Sequence, residues 1–405
     1  MGEPKLRFKA DDGADFSGWE EKTLGELCAP LTYGMNAAAT KFDGENRYIR
    51  ITDIDDETHA LLPNDVVSPS GELDDKYLVK KGDILLARTG ASTGKSFLYH
   101  PKDGKLFYAG FLIKAHVLPS SDDYFIYSQT LTDRYWKWVK TASMRSGQPG
   151  INANEYASYS FAVPSLPEQR KIADFLSAVD AVIAAQQAEV DAWEQRKKGV
   201  MQKLFSQEVR FKADDGSDFP EWEEKKLGDV CTQLNMTIDP QANGDDEFVE
   251  YSMPAYDNQR TAKVVLGRDM SSARKIMPTP CVLINKLNVR KKRVWVIEQP
   301  ESNAVCSTEF VPLTSKTSDL RFLGYLTMTD GFTNYLLNCS SGSSNSQKRV
   351  APNDLLNYVV KFPSPPEQSK IADCLSSIDD VIAKAKAELA KWQELKKGLL
   401  QQMFV

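Results

Sequence analysis

The chain is written twice. Residues 6–28, LRFKADDGADFSGWEEKTLGELC, match residues 209–231, VRFKADDGSDFPEWEEKKLGDVC, at 16 of 23 positions. A second pair follows: PSLPEQRKIADFLSAVDAVIA (164–184) aligns with PSPPEQSKIADCLSSIDDVIA (363–383). That match continues through Trp193 and Trp392 and the two Lys-Lys-Gly triplets, and ends at Phe205 and Phe404. A period of roughly 200 residues is too long for a solenoid repeat and marks a duplicated domain-plus-connector. Between the matched pieces lie residues 29–163 and 232–361, which share little identity. The layout is edge, variable block, matching segment, and then the same again.

The second matching segment has helical spacing. In the first copy one apolar row holds Ile172, Val179, Trp193 and Val200, and a second holds Leu176, Ile183, Val190 and Leu204. In the second copy the rows are Ile371, Ile378, Trp392, Leu399 and Leu375, Ile382, Leu389, Met403. This is the a/d seam of a coiled coil. Gln186 and Ala385 interrupt one row, and Lys197 and Lys396 the other. Pro-Glu-Gln at 167–169 and 366–368 suits a helix start, with proline in the first turn and glutamate facing the positive end of the dipole. Such helices span about 55–60 Å. Periodicity alone leaves a four-helix bundle or a dimer zipper open. The duplication favours pairing of 167–205 antiparallel with 366–404 inside one chain. The seam residues expected at that interface are Ile172, Leu176, Val179, Ile183, Val190, Trp193, Ile371, Leu375, Ile378, Ile382, Leu389 and Trp392.

The variable blocks carry short apolar runs between turn signals: YIRITDI (48–54), GDILLAR (82–88), FLIKAHVL (111–118), CVLINKL (281–287), RVWVIEQ (293–299) and EFVPL (309–313). These predict strands. YFIYSQTLTDRYWKWV (124–139) and FLGYLTMTDGFTNYLL (322–337) predict a helical minority. The expected fold is α+β, with two globular α/β domains separated by two long antiparallel helices. The boundaries are 1–163 (edge 1–28), helix 164–208, 209–362 (edge 209–231) and helix 363–405. No stretch has the apolar length of a membrane span. Six scattered cysteines without a Cys-x-x-Cys pair, and only three histidines, point to a reduced cytoplasmic protein without structural metal.

Charge is unevenly spread. The whole chain is −6, block 29–163 is −1 and block 232–361 is +2, so the scaffold around the blocks is acidic. A nucleic-acid reader usually shows a basic footprint, which the overall balance lacks. The second block nonetheless has a dense basic run, KLNVRKKRVW (286–295). As a strand it would place Arg290 and Lys292 on one face and Lys291 and Arg293 on the other, with Lys286 and Asn288 leading in. The alternative is an edge strand guarded by charge. In the first block RTGASTGKS (88–96) follows a predicted strand, but the spacing from Gly90 to Gly94 fails the nucleotide-binding loop. It reads as a turn that can approach a phosphate through Arg88, Thr89, Ser92, Thr93 and Lys95, or as a plain hairpin loop. Each block ends in a flexible polar segment. The first offers Arg145, Gln148, Asn152 and Asn154, and the second Asn345, Gln347, Lys348 and Arg349. Amide side chains match adenine edges and arginine matches guanine. The bland alternative is a loop entering a short helix capped near Asn154 or Asn353. Catalytic motifs are missing. An Asp15/Glu20/Lys22 pattern, mirrored by Asp218/Glu223/Lys225, resembles a Mg²⁺-dependent nuclease, yet both copies lie in the repeated edge.

The order of variable block, P-x-P-E-Q-x-K-I-A-D helix, variable block and second such helix resembles the specificity subunits of type I restriction-modification systems over essentially the whole chain. PSLPEQRKIADFLSAVD and PSPPEQSKIADCLSSIDD carry that resemblance, supported by the WEEK edge and the GDILLARTGASTGKS stretch. The second block departs from it, with MPTPCVLINKLNVRKK (277–292) where a GDILLAR-TG match belongs. The resemblance implies a non-catalytic protein with two target recognition domains, each reading half of a bipartite site in double-stranded DNA. It implies helices that fix the spacing and dock two modification (methyltransferase) subunits, and restriction subunits in the full complex. S-adenosylmethionine, ATP and Mg²⁺ then belong to the partners and no cofactor to this chain. A coiled-coil adaptor with two ligand-binding domains and a stand-alone Mg²⁺-dependent nuclease are the other readings.

Overall fold

The computed structural model describes residues 4–144, 148–342 and 347–404. The chain divides into two compact units: Met1–Gln187 with Ala387–Val405, and Ala188–Lys386. Both have an α+β make-up.

In the first unit an antiparallel four-stranded sheet runs in the order Thr32–Tyr33, Leu112–His116, Asp83–Ala87, Ser96–Leu98. In the second unit the order is Thr232–Gln233, Phe310–Thr314, Cys281–Asn285, Val294–Ile297, again antiparallel. The central strands Asp83–Ala87 and Cys281–Asn285 are buried at every position, as their unbroken apolar runs require. The units therefore share a framework that their block sequences conceal. They diverge beside it: a five-stranded sheet in the second unit stands where the first has two separate strand pairs.

Five of the six predicted strand runs form strands; YIRITDI is a strand only through Ile49 and turns at Ile51–Asp53, and each helical run divides into two helices. Asp123–Gln129 and Asp133–Ala142 form from one run, and Leu320–Thr327 and Asp330–Cys339 from the other. The breaks come from N-caps. Thr132 and Thr329 accept the N–H groups of Tyr135 and Phe332, which stops the preceding helix and starts the next.

The two long helices are Leu166–Phe205 and Pro365–Met403. Within the first unit Ile172 and Leu176 share a core with Leu400, Met403 and Phe404, and Lys396 pairs with Asp180 at 2.6 Å. Within the second, Ile371 and Leu375 share a core with Leu204, and Lys197 pairs with Asp379 at 2.6 Å. In each unit the helical segments run antiparallel, because rising numbers on one meet falling numbers on the other. Of the seam residues, Ile172, Leu176, Val179, Val190, Ile371, Leu375, Ile382 and Leu389 are buried, and Ile183, Trp193, Ile378 and Trp392 are half-buried. No helix among the described residues is long and apolar enough to cross a membrane.

The repeated edge closes each unit onto its long helix. Glu20–Thr23 pairs antiparallel with Ser160–Val163, and Glu223–Lys226 with Val359–Phe362, the strands that feed the long helices. Glu168 and Glu367 are 0% exposed. Each carboxylate takes a forked pair of bonds from an arginine of the edge: Arg7 at 2.9 and 2.9 Å, Arg210 at 3.1 and 2.9 Å. Trp222 adds an indole N–H to Glu367 at 3.1 Å. The neighbouring glutamines bridge as well: Gln169 accepts from the Asp122 amide and donates to the Pro164 carbonyl, and Gln368 does the same with Asp319 and Pro363. The Pro-Glu-Gln signature is thus more than a helix start; it is the buried joint of the unit.

Removing one arm of that joint strands a buried charge. Arg210→Ala should lower the unfolding free energy by about 3 kcal/mol, read as a shifted urea midpoint. Lys212→Ala, which breaks only the exposed pair with Asp218, should leave the midpoint nearly unchanged.

Candidate nucleic-acid interface

In each unit the sheet brings the two polar segments together. The loop 88–95 joins Asp83–Ala87 to Ser96–Leu98, and the loop 286–293 joins Cys281–Asn285 to Val294–Ile297. They occupy the same place in the two sheets, so the basic run does stand where the hydroxyl-rich loop stands. Residues 148–152 fold back onto the first loop: Gly90 donates to Pro149, Ile151 to Arg88, and Thr89 bridges Gly150. Residues 348–350 do the same to the second: Asn288 donates to Lys348, Val350 to Lys286, and Leu287 bridges Arg349. Elements roughly 60 residues apart in sequence thus form one polar surface per unit, at one end of a buried central strand.

Several candidate side chains face inward, which corrects the sequence reading. Lys95 is 5% exposed, and its ammonium donates to the Ile54 carbonyl at 2.7 Å and to Asp56 at 2.6 Å. Thr93 is buried and its hydroxyl donates to Gly90. The amides of Gly90, Thr93, Gly94 and Lys95 all donate within the protein, which leaves them unavailable as a phosphate cradle. Gly94 has no room for a side chain: a Cβ there would meet Val139 at 2.6 Å, and Tyr156 and Tyr135 clamp its backbone. Asn152 accepts the Glu155 amide at 2.9 Å as the N-cap of Ala153–Ala157, so the cap is Asn152 and not Asn154. In the second unit the short helix Pro352–Leu356 is preceded by Ala351, so Asn353 is no cap either.

The run 286–293 is not a strand. Asn288 takes a left-handed backbone at φ 51°, and Lys291 donates back to its carbonyl, so the chain turns. Arg293 is buried and forked onto Asp257 at 2.8 and 2.6 Å, which holds that carboxyl below the usual carboxylate range. Lys292 pairs with Asp330 at 2.5 Å and reaches the Met328 carbonyl. Arg290 and Lys291 are exposed, and Lys286 and Lys348 are half-buried. Gln347 and Arg349 are exposed, with Arg349 on Glu309 at 3.1 Å. In the first unit Arg88, Thr89 and Ser92 are half-buried, and Gln148 and Asn154 are exposed. Arg145 and Asn345 lie outside the described residues.

Three neighbours escape the sequence reading. The Arg88 guanidinium lies 4.8 Å above the ring of Tyr33, whose hydroxyl accepts the Ala153 amide. Phe111 and Glu309 sit at equivalent turns beside the two loops. Phe111 reads as part of an apolar run, so nothing in the sequence marked it as exposed. The nuclease-like carboxylates are ion-paired in the edge instead: Asp15 with Lys9, Glu20 with Lys22, Asp218 with Lys212, Glu223 with Lys225.

The family model for the type I restriction modification DNA specificity domain matches twice, over residues 17–192 and 220–391. The chain belongs to that family. It is a type I specificity subunit, the non-catalytic component of its system. Specificity subunits of this kind act with DNA and with methyltransferase and restriction subunits. Among its relatives are two from Methanocaldococcus jannaschii. The type I restriction enzyme MjaVIII specificity subunit is 24% identical over 348 residues, 80% of this chain and 79% of the relative. The putative MjaX specificity subunit is 24% identical over 97% of this chain and 94% of the relative. The crystal structure of a type I S subunit from M. genitalium is similar over 100% of this chain and 99% of its own, at 15% identity and a TM-score of 0.59. A chain solved for complex assembly and conformational transition of the type I R-M system covers 95% and 96%, at 18% identity and a TM-score of 0.52. Neither the nuclease nor the adaptor reading finds support among these relatives.

Exposed and internally paired lysines of the specificity subunit should behave differently. In the assembled methyltransferase complex, Lys291→Ala should weaken binding to all DNA sequences alike and reduce the salt slope by about 0.9. Lys95→Met should leave that slope unchanged and lower the melting temperature. Titrations at several salt concentrations, with a thermal melt, check both.

Proposed function

We propose that each unit reads one half of a bipartite duplex site, through the surface formed by 88–95 with 148–154 in the first and 286–293 with 347–350 in the second. The observation that carries this reading is the same two-loop surface occurring twice in one chain, on matching sheets, with different side chains. A protein that reads two unlike half-sites needs that combination: common geometry to approach a groove and different edges to select bases. The candidate contacts are Arg88, Thr89, Ser92, Gln148, Asn154, Lys286, Asn288, Arg290, Lys291, Gln347, Lys348 and Arg349.

The target recognition domains on this reading are 1–163 and 209–362, and 164–208 and 363–405 are the helical connectors. The connectors form an antiparallel coiled coil that fixes the unread spacer and docks two methyltransferase subunits. The ion pairs Lys396–Asp180 and Lys197–Asp379 support a single register for it. S-adenosylmethionine, ATP and Mg²⁺ belong to the partner subunits, and the assembly works in the cytoplasm, in keeping with six free thiols.

Lengthening the connector should act on the spacer alone. Four residues inserted in each long helix add about 6 Å of rise, close to two base pairs. Site selection from a random-spacer library should return the same half-sites at a longer spacing; an unchanged spacing rejects the ruler. Exchanging 232–361 for the corresponding block of another family member should change one half-site and keep the other, as read by methylation mapping.

A further inference from the structure

We propose that Phe111 is a specificity-determining residue of the first unit, packing against the C5 methyl group of a thymine in the major groove. This rests on the proposed bipartite reading and names one of its contacts.

Phe111 is 64% exposed, among the most exposed large apolar side chains of the chain. It sits in the turn before Leu112–His116, and its carbonyl accepts the Arg88 amide at 3.0 Å. The backbone there is therefore fixed against the first residue of the candidate loop. A scattered surface phenylalanine needs no explanation. This one is bonded through its backbone to Arg88, the residue where the two polar segments of its unit meet, and the Arg88 guanidinium donates to the adjacent Gly110 carbonyl at 3.4 Å while stacked over Tyr33.

The second unit supplies the comparison. Leu112 pairs with Ala87 and Phe310 with Asn285, the last residues of the two central strands. The residues just before them, Phe111 and Glu309, are therefore equivalent, and Glu309 accepts the Lys286 amide at 2.9 Å as Phe111 accepts that of Arg88. The backbone position is the same and the chemistry opposite: an exposed ring in one unit, a carboxylate holding Arg349 at 3.1 to 3.3 Å in the other. A position needed for folding would keep its polarity on a shared framework. A position that reads sequence differs between two readers of unlike half-sites. Among major-groove base edges the only apolar group is the thymine methyl, the edge that suits an exposed phenyl ring. Arg88 alongside can hold the adjoining phosphate or a guanine edge.

The test uses the full chain assembled with its methyltransferase subunits. Methylation mapping of the wild type first defines the bipartite site; absence of any bipartite site overturns the functional reading itself. With that site in hand, Phe111→Ala should relax one thymine position in one half-site and leave the other half-site intact. Deoxyuridine in place of that thymine should weaken wild-type binding about fourfold, the effect of one buried methyl group. It should not weaken binding by the Phe111→Ala complex, and Phe111→Leu should restore part of the preference. An unchanged site for Phe111→Ala overturns the inference while the bipartite reading stands. So does an equal loss on thymine and deoxyuridine DNA, which marks a stacking wedge. So does loss of subunit assembly with an unchanged motif, which marks a protein contact.

Discussion

A carboxylate with no exposure to water governs how each unit closes. Moving a carboxylate into a low-dielectric interior costs several kcal/mol even after relaxation, so Glu168 and Glu367 can be buried only when a cation arrives with them. The cation comes from about 160 residues earlier in the chain, as Arg7 and Arg210, in a two-pronged geometry that a lysine could not reproduce. The glutamine that follows ties the same helical turn to the N-cap of Asp123–Gln129 in the first unit and of Leu320–Thr327 in the second. One joint thus links the edge segment, the last strand and the long helix. This is why the two segments that repeat are the edge and the Pro-Glu-Gln helix, while the blocks between them are free to differ.

The long helices solve a second electrostatic problem in the same manner. Lys197 and Lys396 occupy positions where the apolar row expects a hydrophobe. Each meets an aspartate of the antiparallel segment in its own unit, and that aspartate also accepts a tyrosine hydroxyl from the body of the unit: Tyr325 on Asp379 and Tyr124 on Asp180. Lys197 additionally lies 5.0 Å over the Tyr325 ring. These groups are partly exposed, so their net contribution to stability is modest. Their effect is on register. A slip by one helical turn would leave a lysine against apolar side chains and an aspartate without its cation, a penalty that a uniform leucine seam would not impose.

The repeat, the long helices and the apolar central strands could be read directly, because each rests on local periodicity; the short, partly exposed strands could not. What could not be read was where polar side chains end up. Lys95 looks like a phosphate ligand until Ile54 and Asp56, some 40 residues earlier, are folded beside it. Arg293 looks like part of an exposed basic strand until Asp257 takes its guanidinium. The left-handed turn at Asn288 falls within a β-compatible run, and the asparagine, which tolerates that backbone, was its one signal. The helix breaks were legible in principle: Thr-Leu-Thr-Asp at 130–133 and Thr-Met-Thr-Asp at 327–330 are the same capping signal, set in blocks whose general dissimilarity hid it.

With internal pairs removed, the remaining cations are unequally shared. The second surface keeps Lys286, Arg290, Lys291 and Lys348 without an ion pair among the described residues, whereas among the described residues of the first the candidate cation left is Arg88. On the proposed reading, phosphate attraction scales with the number of cations placed on the backbone, so two such surfaces would contribute unequally to affinity. A weakly charged reader becomes effective when a more basic one on the same chain holds the duplex, because its binding is then intramolecular. The acidic balance of the scaffold fits this division. An acidic scaffold disfavours nonspecific attachment to a polyanion through the helices, which would leave attraction to the two candidate surfaces.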